Sequence, residues 1–275
     1  MAKWFFEGSK IKEWKSTGSL LWIHGKRTLH IFLKSRRFLM VSPIHSWSGK
    51  EHTLVRWPNS SVDSRRNSSS HTSSSIIQDA FVLREAGLAS VAYFYFDFRD
   101  TNKQTRRNLL LSLVSQLSAR SEPCCEILFR HYSEHDNGAD KPSDDVLLQC
   151  LKEMLAILVE RPTYLIIDAL DECPNTSGIP TARAQVLGLV KGLLGLHLPN
   201  LRICITSRPE IDIKTCLGPL ASHSVSLHDE IGQKNDIVDY IKSVVYSNAN
   251  TMMKKWRTDE KDLVVETLSE RADGM

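Results

Sequence analysis

The stretch YLIIDALDECP, residues 164–174, decides how the rest of the chain is read. Its apolar run is a strand covered on both faces, and it delivers Asp168 to its carboxyl end. Asp171 and Glu172 follow within the next turn. A carboxylate at the end of a buried strand can hold a hydrated magnesium ion that bridges nucleotide phosphates. An acid one turn later can orient or deprotonate an attacking water. A strand followed by an ordinary solvated acidic turn has the same composition, so the motif alone leaves both readings open.

Outward from this point the pattern repeats. In LRICITSRPE, residues 201–210, a second buried strand ends in Thr206, Ser207 and Arg208. That places two hydroxyls and a guanidinium on the same rim as the acids. Arginine suits a phosphate because its fork donates two parallel hydrogen bonds and stays charged. Taken alone, Arg208 reads as a surface ion-pair residue, and it is the neighbouring acids of IIDALDE that favour the functional reading. Further strands are read in SVAYFYFDF (90–98) and SHSVSL (222–227).

Helices are read between the strands. SSSIIQDAFVLREAG (73–87) sets Ile76, Ile77, Ala80, Phe81 and Leu83 at helical spacing, with serines to cap it and Gly87 to stop it. TRRNLLLSLVSQL (105–117), PSDDVLLQCLKEMLAILVE (142–160) and ARAQVLGLVKGLL (182–194) follow; Ser143 or Asp144 caps the second of these. Continuous apolar strands alternating with helices predict a parallel sheet covered on both faces, a three-layer α/β fold. In such sheets ligands bind beyond the carboxyl ends of the strands. KNDIVDYIKSVVYS (234–247) and DEKDLVVETLSERADGM (259–275) read as helical, the start of a further helical region.

With 275 residues the chain has length enough for one large α/β domain and part of another. It is 41% hydrophobic and 24% charged with a formal net charge of +3, a balance that does not make nucleic acid a default partner. A nucleic-acid binder would have to work through Arg36, Arg37, Arg65 and Arg66. No apolar run approaches the roughly 18 residues of a membrane span, and MAKWFFEGSKIKEWK is too interrupted by charge for a secretory signal. A cytoplasmic protein without membrane attachment is expected. The six cysteines form no C-x-x-C pair and lie mostly in apolar segments, which points to buried thiols in place of a metal site.

The first strand breaks the rhythm. Leu20 to Ile23 reads as buried strand, and His24-Gly25-Lys26 leaves it as a phosphate loop would. A full loop needs G-x-x-x-x-G-K followed by Ser or Thr: amides cradle phosphate, lysine reaches the terminal phosphates, and the hydroxyl meets magnesium. Here Arg27 follows Lys26, no second glycine comes before Gly49, and Lys50 is followed by Glu51. Residues 27–73 lack sustained periodicity and end in a Ser-rich tract punctuated by arginine, so they are expected to be disordered. A connection of this length between a strand and its helix is well outside the usual few residues. We read it as a translated intron, with a regulatory insertion as the alternative.

In order, GSLLWIHGK, ASVAYFYFDFRD, YLIIDALDECP and ICITSRPE resemble the NACHT-type (STAND) signalling NTPases of filamentous fungi, related to the nephrocystin-like amino-terminal domain. The resemblance covers residues 1–26 and 74–275. It implies a P-loop NTPase fold in which ATP or GTP, with Mg2+, controls a switch to a self-associating state. By that resemblance Asp168 is the magnesium-binding acid, Asp171 and Glu172 are the catalytic acidic motif, and Arg208 lies in a sensor-like strand end. Gly25 and Lys26 belong to what remains of the phosphate loop, and Thr206 and Ser207 line the nucleotide side. Asp97 matches a motif position without an assigned role. The organisation expected is a lead-in and first strand at 1–26, the insertion at 27–73, the remaining NTPase core at 74–228, and the start of a helical region at 229–275. A degenerate fold that serves as a non-enzymatic scaffold is the competing expectation, because the phosphate loop is interrupted.

Overall fold

A computed structural model of the chain describes residues 9–17, 19–25, 75–134, 141–176, 178–226, 238, 241, 242, 244–246 and 256–272. The expectations placed on Lys26 and on residues 27–73 lie outside them. Five strands form one sheet: β1 (Ser19–His24), β2 (Ser90–Tyr95), β3 (Thr163–Asp168), β4 (Leu201–Ser207) and β5 (His223–Ser226). All pairings are parallel, in the order β2-β3-β4-β1-β5. Eight α-helices are described: α1 (Ser9–Thr17), α2 (Ser75–Glu85), α3 (Arg106–Ser118), α4 (Glu122–Glu134), α5 (Asp144–Ile157), α6 (Ala182–Leu194), α7 (Ile211–Leu217) and α8 (Thr258–Ala272). None is long and apolar enough to cross a membrane.

The strand order decides which face each helix covers. A crossover between parallel strands is right-handed, so reversing the direction of travel along the sheet moves the helix to the other face. The step from β1 to the far edge at β2 places α2 on one face. The return through β3 and β4, and the step on to β5, put α3, α5, α6 and α7 on the other. Two separate apolar clusters record this. Leu21, Ile23, Tyr164, Ile166 and Cys204 pack with Ile11 and Trp14 of α1 and with Ile76, Ile77, Ala80 and Phe81 of α2. Leu20, Trp22, Leu165, Ile167, Ile203 and Ile205 pack with the helices of the opposite face. Alternate residues of each strand thus serve opposite cores, the period of two that a pleated strand imposes.

Local chemistry sets the helix ends. Thr105, Ser143 and Thr181 cap α3, α5 and α6 by accepting the N–H of Asn108, Val146 and Ala184. Gly87, at φ 71°, closes α2: its N–H reaches the Arg84 carbonyl and the Leu88 N–H reaches Leu83. These paired bonds need a left-handed residue where glycine costs least. Helix α4 is an addition that the sequence reading passed over between α3 and α5.

Two side chains tie down the sheet's margins. On β2, an edge strand, the Tyr93 N–H donates to Gln116 Oε1 (3.2 Å) and the Tyr93 carbonyl accepts from Gln116 Nε2 (2.7 Å). One amide side chain thereby pairs with the strand as a neighbouring backbone would. At the opposite end of the strands, buried Arg202 donates to the carbonyls of Lys15 and Ser16, which terminate α1. A cation at a helix C-terminus also meets the negative end of its dipole.

Candidate functional site

The connection that leaves β1 runs to one face and the connection that leaves β4 runs to the other. The two strands are neighbours, so a crevice opens beyond their carboxyl ends, the place where open α/β sheets bind ligands. Gly25 follows β1 and Arg208 follows β4. Asp168, Asp171 and Glu172 follow β3, the neighbour of β4.

Asp168 is buried, 4% exposed, and accepts a hydrogen bond from the Thr206 hydroxyl. The Thr206 oxygen in turn accepts the Ala169 N–H at 3.0 Å. Burial pushes the Asp168 carboxyl up to about 7; the Thr206 and Ala169 hydrogen bonds oppose the shift, and the charges of Glu172 and Asp171 add to it. Tyr95, its partner across β2 and β3, has its hydroxyl pushed up by burial first and by Asp168 second. The chain then turns sharply at Ala169, which sits in the left-handed region at φ 54°, ψ 47° without being glycine. This conformation costs about 1 kcal/mol or more for a residue with a Cβ. It opens a single 3-10 turn, Leu170–Glu172, which presents the second and third acids.

Asp171 and Arg208 face each other across the strand ends. Asp171 Oδ1 accepts the Arg208 backbone N–H at 3.0 Å, and Oδ2 lies 3.2 Å from Arg208 Nε. Asp171 is 8% exposed and Arg208 46% in their side chains, so the pair has a buried foot and an open head. Asp171 thus meets Arg208 both at its backbone N–H and at Nε, while nearly half of the guanidinium side chain stays exposed. Glu172 is buried, and its Oε2 accepts the Phe98 N–H at 3.2 Å. Asp97 pairs with Arg99, which holds its carboxyl down at about 2, in the same loop. Gln104 braces that loop by donating to the carbonyls of Asp97 and Phe98.

The hydroxyls of Thr206 and Ser207 are turned inward. Thr206 serves Asp168, and Ser207 accepts the indole N–H of Trp22 at 2.9 Å. Both residues are buried, so they support the strand ends and do not line an open surface. Gly25 is also engaged: its N–H donates to the Ser207 carbonyl at 3.4 Å, which ties the exit of β1 to the exit of β4. Its amide is therefore not free for a phosphate. Among the described residues no group of three or more His, Cys, Asp or Glu could hold a metal ion. The donor set fits a magnesium ion held by the one carboxylate of Asp168 with water and phosphate as its other ligands, since this ion keeps most of its hydration. A divalent cation there would also offset the negative charges of Glu172 and Asp171, which add to the effect of burial on the Asp168 carboxyl.

Sequence reading missed Arg183. It is 5% exposed, and its Nε donates to the Cys173 carbonyl (2.9 Å) while Nη2 donates to the Asp171 carbonyl (2.6 Å). Its Nη1 pairs with Glu210 and with Asp212 (3.3 Å). The signal was present: Arg183, Val186, Leu187, Val190 and Leu193 form one buried stripe of α6. A charge in an apolar stripe at helical spacing marks a buried, partnered cation. An open groove of about 580 Å3 between α4 and α5, lined by Ile127, Arg130, His131, Glu134, Glu153 and Ile157, is formed by none of the site residues. The thiols of Cys150 and Cys173 are pushed up to about 12 by burial, and no disulfide forms among the cysteines.

Sheet, covering helices and strand-end acids define the class: a three-layer αβα protein with a P-loop-like parallel sheet. The family described as nephrocystin 3, N-terminal, matches residues 68–208, just over half of the chain, and the chain belongs to that family. The match spans α2 to Arg208 and starts inside the stretch read as an insertion. A search of curated proteins returned no match to the chain.

Proposed function

We propose that the chain is a nucleoside triphosphate-binding signalling module of NACHT type, in which occupancy by ATP or GTP biases self-association. The observation that carries this reading is the Asp171–Arg208 pair beside buried Asp168 at the β1–β4 crevice. Asp168 would hold Mg2+, which supplies charge neutralisation to the phosphates. Glu172, whose Oε2 accepts the Phe98 N–H, would orient a water. Asp171 would hold Arg208 at its backbone N–H and Nε, and the half-exposed guanidinium would meet a terminal phosphate. Nucleotide occupancy then acts as a population shift between two arrangements of the module.

A second reading, a non-enzymatic scaffold, is favoured by one observation. The Gly25 amide is already bonded to Ser207, and the sequence after it lacks the glycines and the Lys-Ser pair of a phosphate cradle. Loss of that cradle removes much of the electrostatic stabilisation of bound phosphate. Titration with a fluorescent ATP analogue separates the two. Weak magnesium-dependent binding that Asp168→Ala abolishes is the expected result for this chain. No binding up to millimolar nucleotide would sink the nucleotide reading and leave the scaffold. Sequencing the mature transcript between the codons for His24 and Ile76 tests the origin of residues 27–73. A transcript that lacks them and encodes a Gly-Ser-Gly-Lys-Ser type loop is the result expected for a translated intron.

A further inference from the structure

We propose that Arg183 is a positioning residue for Arg208: it closes a ring of contacts that fixes the Asp171–Arg208 pair and so sets the direction in which the guanidinium faces. The part that concerns phosphate rests on the nucleotide reading above; the part that concerns geometry does not.

The ring can be followed atom by atom. Arg183 Nη2 grips the backbone carbonyl of Asp171, whose carboxylate grips the N–H and Nε of Arg208. Two residues beyond Arg208, the Glu210 carboxylate returns to Arg183 Nη1. Asp212 in the first turn of α7 adds to the same nitrogen, and Asn175 Nδ2 donates to Asp212 at 3.0 Å. Arg183 thus holds both the turn that carries Asp171 and the segment that carries Arg208. Without it, the Asp171–Arg208 pair stands alone with a half-exposed guanidinium, and ion pairs of that kind are worth little by themselves. The arrangement needs a fork: two nitrogens on carbonyls and one between carboxylates. A lysine could keep the carboxylates but not the two carbonyls.

Arg183→Lys is therefore the informative variant, because it retains the charge and loses the fork. Hydrogen exchange of the Arg208 backbone amide, read by NMR against the Ile205 amide in the middle of β4, reports the ring without any ligand. Exchange at Arg208 is expected to speed up about tenfold or more in Arg183→Lys while Ile205 is unchanged. Arg183→Met with Glu210→Gln and Asp212→Asn removes the cation and its carboxylates together; it is expected to melt close to the parent yet show the same fast exchange at Arg208. Unchanged exchange at Arg208 in either folded variant would overturn the proposal. Where the parent binds the ATP analogue, its preference for triphosphate over diphosphate is expected to fall about tenfold in Arg183→Lys. A preference that survives fast exchange would overturn the link to phosphate. A parent that binds no nucleotide defeats the nucleotide reading and leaves exchange at Arg208 to decide the role of Arg183.

Discussion

At the scale of the residue, the most consequential group is Asp168. An ordinary aspartate ionises near 3.8, whereas burial moves this one to about 7. Between those values the unfolded chain has released its proton and the folded chain has kept it. Stability from this group is present below about 4, falls as pH rises through the window, and is lost above about 7. Asp168→Asn removes the burden. Its melting temperature relative to the parent is expected to be lowest near pH 4, to rise with pH, and to level off above pH 7. A constant difference across a thermal melt series from pH 4 to 8 would contradict this. The neighbouring Ala169 offers a second test, since its left-handed backbone is strained for any side chain and most for a branched one. Ala169→Gly is expected to lie within about 1 kcal/mol of the parent, because relief of strain offsets added freedom in the unfolded chain. Ala169→Val is expected to lose about 2 kcal/mol or more in urea unfolding.

At the scale of the element, Gln116 on α3 completes the outer edge of β2. Gln116→Leu would leave the Tyr93 N–H and carbonyl without their partner, at about 1–3 kcal/mol for each group kept from water. It would also uncover an edge that accepts other strands. A lower melting temperature together with increased light scattering at constant concentration is the expected pair of signs. Helix α1 is held mainly by Ile11 and Trp14, with Trp14 edge-on to Tyr164. Trp14→Ala is expected to cost about 3–5 kcal/mol, as removal of a large buried ring commonly does.

These elements also show what a reader of sequence can and cannot see. TYLIID and RICITS announce themselves because each strand is contiguous and apolar, and their terminal acids and arginine are adjacent in sequence. Gln116 does not, and the apolar stripe of α6 marks Arg183 as a partnered cation without naming its partners. Each acts across the fold, Gln116 on Tyr93 and Arg183 on Glu210, and no local pattern names the partner. Thr206 and Ser207 were legible as strand-end hydroxyls, but the direction they face depends on Asp168 and Trp22, which come from other strands.

At the scale of the whole molecule, the strand order carries the site. It makes β1 and β4 neighbours whose onward connections part, and it seats the acids after β3 one strand away. That order is not written in any one segment; it follows from which strands pair over separations of many residues. The same order places Trp22 beneath the crevice, its indole bonded to Ser207, whose carbonyl receives the Gly25 amide. The protein therefore contains its own optical gauge. Trp22 is buried in β1 with the His24 ring tilted against it, centroids 4.2 Å apart, so its emission depends on the hydrogen bond to Ser207 and on the set of the two strand ends. In a variant keeping only this one of the six tryptophans, fluorescence would report any change in how the two strand ends are set, with no label attached.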